Sequence, residues 1–469
     1  MAVSIAVLAA AGLPGFPTLF DVPLLAAGDD GPLRLLLVRL LVIILAARAG
    51  AAVARRFGQP SVVGEIVAGL ALGPSGLGRL APGLSAAVFD PAEGPGDPAL
   101  VALSQIGLVL LLFLVGLEFD FSHIRRHARL AAAISTAGIV TPFVLGLGLG
   151  GLMVPRLPAL GADATTDPRS FCLFLGTAMS ITAIPVLGRL LVEMGLHRSL
   201  LGAAVIAAAA CDDAAGWTML AAVSAIAKGE FHPASIVRMI AGTLTLAACC
   251  LLILRPLLRP WLEKALGAAG GPTGARLPPG PLSLLLATLF AAAIAASLVG
   301  PFAIFGAFLL GASLSDTPRL REAVSSQLGP TLDVILLPVF FTYTGLRADL
   351  GTLGSVEALG WAAAVMAVAV AGKWGGCGLA ARGCGMPAAE ANAVGLLMNT
   401  RGLMELVVCN VGLDLGVIPR SVYCMLVLMA VGTTLMTAPL AARALADMPH
   451  APLLASRGFL GGRPRSGRD

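Results

Sequence analysis

Two adjacent carboxylates, Asp212 and Asp213, stand in the middle of an Ala-rich apolar run from Leu200 to Ala227, with no basic residue near them in sequence. An ionisable side chain at the centre of a bilayer costs about 2.5–3.5 kcal/mol even on the mildest insertion scale, so a pair at that depth calls for partners. Neighbours on a helix point about 100° apart. One carboxylate therefore faces a cavity while the other faces an adjoining helix that supplies a cation. Lys373, the one basic residue of the apolar stretch 356–379, is the candidate. Two further polar places lie inside apolar runs. In Ser180-Ile181-Thr182-Ala183-Ile184-Pro185, Pro185 lacks a backbone donor and clashes one turn back, which opens the helix near Thr182 and leaves carbonyls and hydroxyls free. Asn399-Thr400-Arg401-Gly402, with Glu405 one turn on, interrupts the run 388–411.

The elements that must position these groups follow from composition. The chain has 469 residues, 57% apolar and 12% charged, with 57 Gly and 32 Pro, and its mean hydropathy is +0.91. A globular chain carries roughly 25% charge. Half of that, with many apolar runs long enough to span a bilayer, excludes a soluble protein and specifies an all-α polytopic membrane protein. Disorder, coiled coil and a secreted disulfide scaffold fall on the same arithmetic. The eight cysteines show no C-x-x-C spacing and read as small packing residues.

About thirteen spans are expected, at 35–54, 61–77, 99–118, 130–152, 171–191, 200–227, 234–254, 281–299, 302–314, 331–346, 356–379, 388–411 and 422–442. With the N-terminus outside, eighteen loop and tail Lys and Arg residues, from Arg55 to Arg468, fall on the cytoplasmic side and seven, from Arg79 to Arg420, fall outside. That is the positive-inside bias, so the net charge of +5 is topological and needs no nucleic acid. The domain reading is an extracytoplasmic segment 1–32, a transmembrane domain 33–442 and a short cytoplasmic tail 443–469. Arg39 and Arg48 fall inside the first span and must snorkel or pair. The G-x-G-x-x-G match at Gly146–Gly151 lies inside a span and reads as close helix packing, not a nucleotide site. His123 and His127, at i and i+4 without a zinc-protease Glu, read as a basic face. No Ser/His/Asp set falls at one depth, so neither enzymatic catalysis nor a cofactor is expected.

The fifth and twelfth spans carry the two interruptions and run in opposite directions in this topology. Opposed, broken helices at corresponding places in two halves point to an inverted-repeat secondary transporter with its site at the midplane. The residues also resemble a known family. Gln59-Pro60-Ser61-Val62-Val63-Gly64-Glu65-Ile66, Phe113-Leu114-Val115-Gly116-Leu117-Glu118, the Ser180–Pro185 break, the Asp-Asp pair, Ile304-Phe305-Gly306 and Leu337-Pro338-Val339-Phe340-Phe341 resemble, in order, the monovalent cation:proton antiporter-2 family of the sodium/hydrogen exchanger-like superfamily. Leu397-Met398-Asn399-Thr400-Arg401-Gly402-Leu403-Met404-Glu405 is most similar to its plant and fungal cation/proton exchanger branch.

The resemblance implies crossed broken helices, K⁺ or Na⁺ exchanged for protons by alternating access, and a homodimer in a lipid bilayer; the compact chain and its Ala-, Gly- and Arg-rich usage suggest that this is a bacterial inner membrane. It implies that Asp213, with Thr182, binds the cation and protons in turn, and that Asp212 is a second carboxylate paired with Lys373. The family's common His is missing from Gly300-Pro301-Phe302-Ala303. Pro185, Asn399, Thr400, Arg401 and Glu405 support the breaks. Two readings of Arg401 and Glu405 stand, a bracing pair or part of the site. Asp212 is either a transport group or a structural partner of Lys373. A cation channel or uniporter would use the same acidic midplane, although Lys373 argues against an open cation pore. A sodium-coupled organic-anion symporter would share the crossed-helix design.

Overall fold

The computed structural model describes residues 31–89, 98–118, 128–162, 166–196, 199–228, 241–242, 244–268, 276–299 and 303–446. Outside them lie most of the expected 1–32 segment, the tail beyond 446, His123 and His127, and Gly300-Pro301-Phe302. The regular elements among the described residues are all helical. The first are α1 (Gly31–Arg56), α2 (Ser61–Leu72), α3 (Pro98–Glu118) and α4 (Ala128–Met153). Then come α5 (Pro168–Ser180), α6 (Ile184–Glu193), α7 (Leu200–Ala227), α8 (Arg255–Ala268) and α9 (Pro279–Val299). They are followed by α10 (Ala303–Ser313), α11 (Pro318–Thr331), α12 (Leu337–Leu346) and α13 (Val356–Val370). The last are α14 (Gly376–Gly383), α15 (Ala388–Met398), α16 (Leu403–Asp414) and α17 (Arg420–Ala444).

Among the described residues ten helical stretches are long and apolar enough to span a membrane, and the α15–α16 pair, bent by 41°, brings the number to eleven. The sequence leads to an expectation of about thirteen. Of the expected spans, 171–191 is divided between two short helices, α5 and α6; α10 is described only from Ala303, and most of the first half of 234–254 lies outside the described residues.

The chain divides into two compact units. One comprises residues 1–107 and 333–351. Its core joins Ile43 of α1, Leu100 of α3, and Val339 and Tyr343 of α12. The two arginines inside the first expected span are paired rather than left in hydrocarbon: Arg39 Nε donates to the Val88 carbonyl at 2.7 Å, and Arg48 donates to the Asp333 carbonyl at 3.0 Å. α2 and α12 cross where Gly69 and Gly345 let the backbones touch. A Cβ on Gly69 would collide with the Thr342 carbonyl oxygen, and one on Gly345 with the Ile66 carbonyl oxygen.

The other unit comprises residues 108–332 and 352–469. α7 is apolar on all sides, so it is driven to the centre: 76% of its spanning window is buried, against 28% for α9. Leu201, Ala204 and Ala208 of α7 pack with Leu187 of α6, Leu397 of α15 and Ala441 of α17. The glycine run of α4 lies against α5, since a Cβ on Gly146 would stand 2.7 Å from Gly176 Cα. The acidic pair is thus carried by the most enclosed helix of its unit.

Adding side-chain volume at the α2–α12 crossing should cost about 1–3 kcal/mol by overpacking. Gly69→Val is expected to melt at a lower temperature in detergent, whereas Gly83→Ala, which has nothing within 4 Å of the added atom, should match the parent. Equal melting of the two variants would remove this crossing from the determinants of stability.

Candidate functional site

α5 ends at Ser180 because the chain turns extended at Ile181, with φ −85° and ψ 144°. Helix resumes at Ile184, where Pro185 occupies the second position, a place where its missing donor goes unnoticed. At its other end α5 is capped by Asp167, whose carboxylate accepts from the Ser170 hydroxyl at 2.7 Å and amide at 3.0 Å. Those bonds, the hydroxyl's first, hold the Asp167 carboxyl below its ordinary range. The second break lies between α15 and α16, where Thr400, Arg401 and Gly402 are non-helical. Both breaks fall in the unit that carries α7.

The two breaks satisfy one another. The Ala183 amide donates to the Thr400 carbonyl at 3.2 Å, and Thr182 Oγ1 lies 3.2 Å from the Met398 carbonyl. Arg401 reaches across to the end of α5 and donates to the carbonyls of Ala178 at 2.9 Å, Ile181 at 3.0 Å and Met179 at 2.6 Å. Its own backbone is held by α17, where Thr434 Oγ1 accepts from the Arg401 amide at 3.1 Å and donates to its carbonyl at 2.8 Å. A guanidinium at the C-terminal end of a half-helix meets the negative end of its dipole as well as orphan carbonyls.

Asp212 and Asp213 are both buried, yet their surroundings differ. Asp212 Oδ1 accepts from Ser135 Oγ at 2.7 Å, and its Oδ2 accepts from Thr182 Oγ1 at 2.8 Å and Lys373 Nζ at 2.7 Å. Lys373 Nζ also donates to Thr182 Oγ1 at 2.6 Å. The Thr182 hydroxyl has one proton to give, to Asp212 or to the Met398 carbonyl, so it ties the ion pair to the second break. Lys373 itself sits in a π turn, Ala371–Gly375, between α13 and α14, an irregularity that recurs at functional sites. α4 can lie close over the pair because Gly138 has no side chain: a Cβ there would stand 2.7 Å from Cys377 Sγ and 3.5 Å from Lys373 Nζ.

Asp213 is the open member. Its Oδ1 is buried, and among the described residues it has no hydrogen-bond partner. One turn along α7 and on the same side, a Cβ on Gly216 would stand 2.8 Å from Met404 Cε and 3.0 Å from Ile181 Cγ1. This side of α7 therefore faces the crossing of the breaks. Thr400 Oγ1 turns back to the Leu397 carbonyl at 2.7 Å. Asn399 is buried with neither amide atom partnered among the described residues.

The structure thus gathers Thr182, Asp212 and Lys373 at hydrogen-bond distance, and Arg401 hydrogen-bonds α5 while its Nε stays at ion-pair distance, 3.8 Å, from Glu405 Oε2. Ser135 and Thr434 are absent from the sequence-derived set. Each is a hydroxyl in an apolar span, a feature shared with many Ser and Thr residues of the chain.

The family model described as "Sodium/hydrogen exchanger, transmembrane" matches residues 41–443. The chain is 37% identical over 417 residues to the Na(+)/H(+) antiporter NhaS4 of Synechocystis, covering 88% of this chain and 97% of that one. It is 34% identical over 422 residues to Cation/H(+) antiporter 20 of Arabidopsis thaliana, covering 87% of this chain and 49% of the longer relative. Among solved structures, the sodium proton antiporter MjNhaP1 of Methanocaldococcus jannaschii shares the fold, with a TM-score of 0.61 at 15% identity over 92% of this chain and all of the other.

Breaking a buried ion pair by removing one partner costs about 3–5 kcal/mol, much of it the isolated charge left behind. Lys373→Met is therefore expected to lower the melting temperature in detergent, and Asp212→Asn combined with Lys373→Met to regain most of the loss. A double variant no better than Lys373→Met alone would contradict the pairing.

Proposed function

Because the chain belongs to the sodium/hydrogen exchanger family, it is an integral membrane antiporter that exchanges a monovalent cation for protons, and we propose that the exchange runs through Asp213. The observation that carries this reading is the contrast within the acidic pair: Asp212 has both oxygens engaged by three donors, while Asp213 Oδ1 is buried and open. Thr182 lines the same place and links it to both breaks. Lys373 is the charge partner of Asp212, and Pro185, Asn399, Thr400 and Arg401 keep the breaks open.

With Asp212 and Lys373 neutralising one another, the site carries one net negative charge at Asp213. A bound cation cancels it, and so does a bound proton. An unloaded Asp213 is an uncompensated charge at membrane depth, the costly state. Movement between the two sides is then favoured only with one or the other bound, which is obligatory exchange. Closure of Asp212 supports one cation per proton. Carboxylate, hydroxyl and carbonyl oxygens accommodate either K⁺ or Na⁺, and the names of the two relatives, one for Na⁺ and one for cations in general, leave both in place. The protein works as a homodimer in the lipid bilayer of a bacterial inner membrane, N-terminus outside and C-terminus in the cytoplasm. The dimeric state rests on family resemblance and the orientation on the distribution of loop arginines.

Proteoliposomes holding a pH gradient provide the test, with K⁺, Na⁺, Li⁺ or choline added at clamped potential. An alkali cation should collapse the gradient with the wild type and fail to do so with Asp213→Asn, which is expected to remain folded. Normal exchange in Asp213→Asn would sink the assignment. A gradient that survives every cation in the wild type would return the channel and organic-anion readings.

A further inference from the structure

Glu405 is out of place as a brace. It is the third residue of α16 and about 1% exposed, and among the described residues neither of its carboxylate oxygens has a hydrogen-bond partner. Arg401 Nε, at 3.8 Å from Oε2, is too distant to donate to it, and that nitrogen is itself unpartnered among the described residues. The rest of the guanidinium is engaged by three carbonyls at the end of α5, where the half-helix dipole compensates its charge. Arg401 is therefore anchored on α5 and keeps only an ion-pair contact, with no hydrogen bond, to Glu405. The other charge set toward Glu405 is Lys373 from the π turn, which is already held by Asp212, and the Cys409 thiol lies one turn along α16.

A carboxylate buried with neither oxygen bonded is too costly to persist as an ion. The guest that resolves it must neutralise the charge and tolerate a guanidinium beside it. An alkali cation meets repulsion from Arg401 and a single acidic group. A proton needs no room and leaves Arg401 free on α5.

We propose that Glu405 is a second proton-binding site of the exchanger, on the second broken span, which takes up a proton separate from the one exchanged at Asp213. Once Glu405 gives up this proton it attracts Arg401 Nε and competes with the carbonyls of residues 178, 179 and 181 for the guanidinium. Those carbonyls flank Thr182, which bonds Asp212, so the charge on Glu405 is felt at the cation site through Arg401. The inference rests on the exchanger reading and is independent of whether Asp213 is the cation ligand.

Infrared difference spectra of the full chain in liposomes, between acidic and alkaline buffer, read buried carboxylic acids directly through their C=O band. Glu405→Gln is expected to lose one component of that band and Asp213→Asn a different one, and Glu405→Asp to keep the Glu405 component at a shifted frequency. A Glu405→Gln spectrum identical to the wild type would overturn the proposal, whatever Asp213→Asn shows. If Glu405→Gln yields no folded protein, Glu405→Asp decides alone: a shifted component supports proton binding at this position, and an unshifted band overturns it. Loss of the Glu405 component alongside normal exchange in Asp213→Asn would overturn the cation-site assignment and leave Glu405 standing.

Discussion

Backbone polar groups cannot be left open at membrane depth, where no water replaces the bonds a helix would have made. This chain breaks two helices inside one unit, at residues 181–183 and 399–402. Everything about the site follows from how those breaks are closed. They are closed on each other, through the Ala183 amide on the Thr400 carbonyl and through Arg401 on three carbonyls of the opposite helix end. Charge-assisted bonds of this kind are about twice as strong as neutral ones. A cation fixed there supplies what a continuous helix would have supplied with its next turn of amides. The result is extended backbone that is stable in a dry interior while still presenting Thr182 sideways to α7.

The same logic separates two chemically identical carboxylates one residue apart. The helical offset of about 100° turns Asp212 toward α4 and the π turn, where Ser135, Thr182 and Lys373 fill its acceptor sites. It turns Asp213 to where no donor among the described residues reaches Oδ1. A buried ion pair is poor evidence of net stability on its own. Its value here is positional. By neutralising one carboxylate and fixing its rotamer, the pair leaves Asp213 as the member of the acidic pair whose Oδ1 stays open.

How much of this was legible in the sequence depended on contrast. Asp212, Asp213 and Lys373 stand out because charge in an apolar run is conspicuous, and Pro185 marks the first break because a missing donor has a local consequence. The spacing of Arg401 and Glu405 suggests an i, i+4 pair, and they do stand 3.8 Å apart, but the guanidinium's hydrogen bonds go to backbone atoms more than two hundred residues away, and no pattern of side chains records a bond to a carbonyl. Ser135 and Thr434 were invisible for a related reason. A hydroxyl in a membrane helix ordinarily returns to its own helix, as Thr433 does to the Met429 carbonyl at 2.8 Å, so type and position do not distinguish the few that bond across. The π turn at Ala371–Gly375 leaves no mark on periodicity.

Position on α7 also decides why the acidic pair is buried. The helix is hydrophobic on all sides, so it settles in the interior of its unit, and there both carboxylates are buried. An exchanger needs access without permanent exposure. On the reading proposed above the broken helices reconcile these demands, since Ile181 and Met404 lie beside Gly216, one turn from Asp213. Elements that end at the site, rather than run past it, can shift without sliding a continuous helix through a packed interior. A site walled by two unbroken helices would have to move whole turns to open. Here the hydrogen bonds that join the breaks are also the ones that any displacement of one break against the other must rearrange, and Thr182, with one proton shared between Asp212 and the Met398 carbonyl, stands at the point where the charge of the site and the fit of the breaks are the same question.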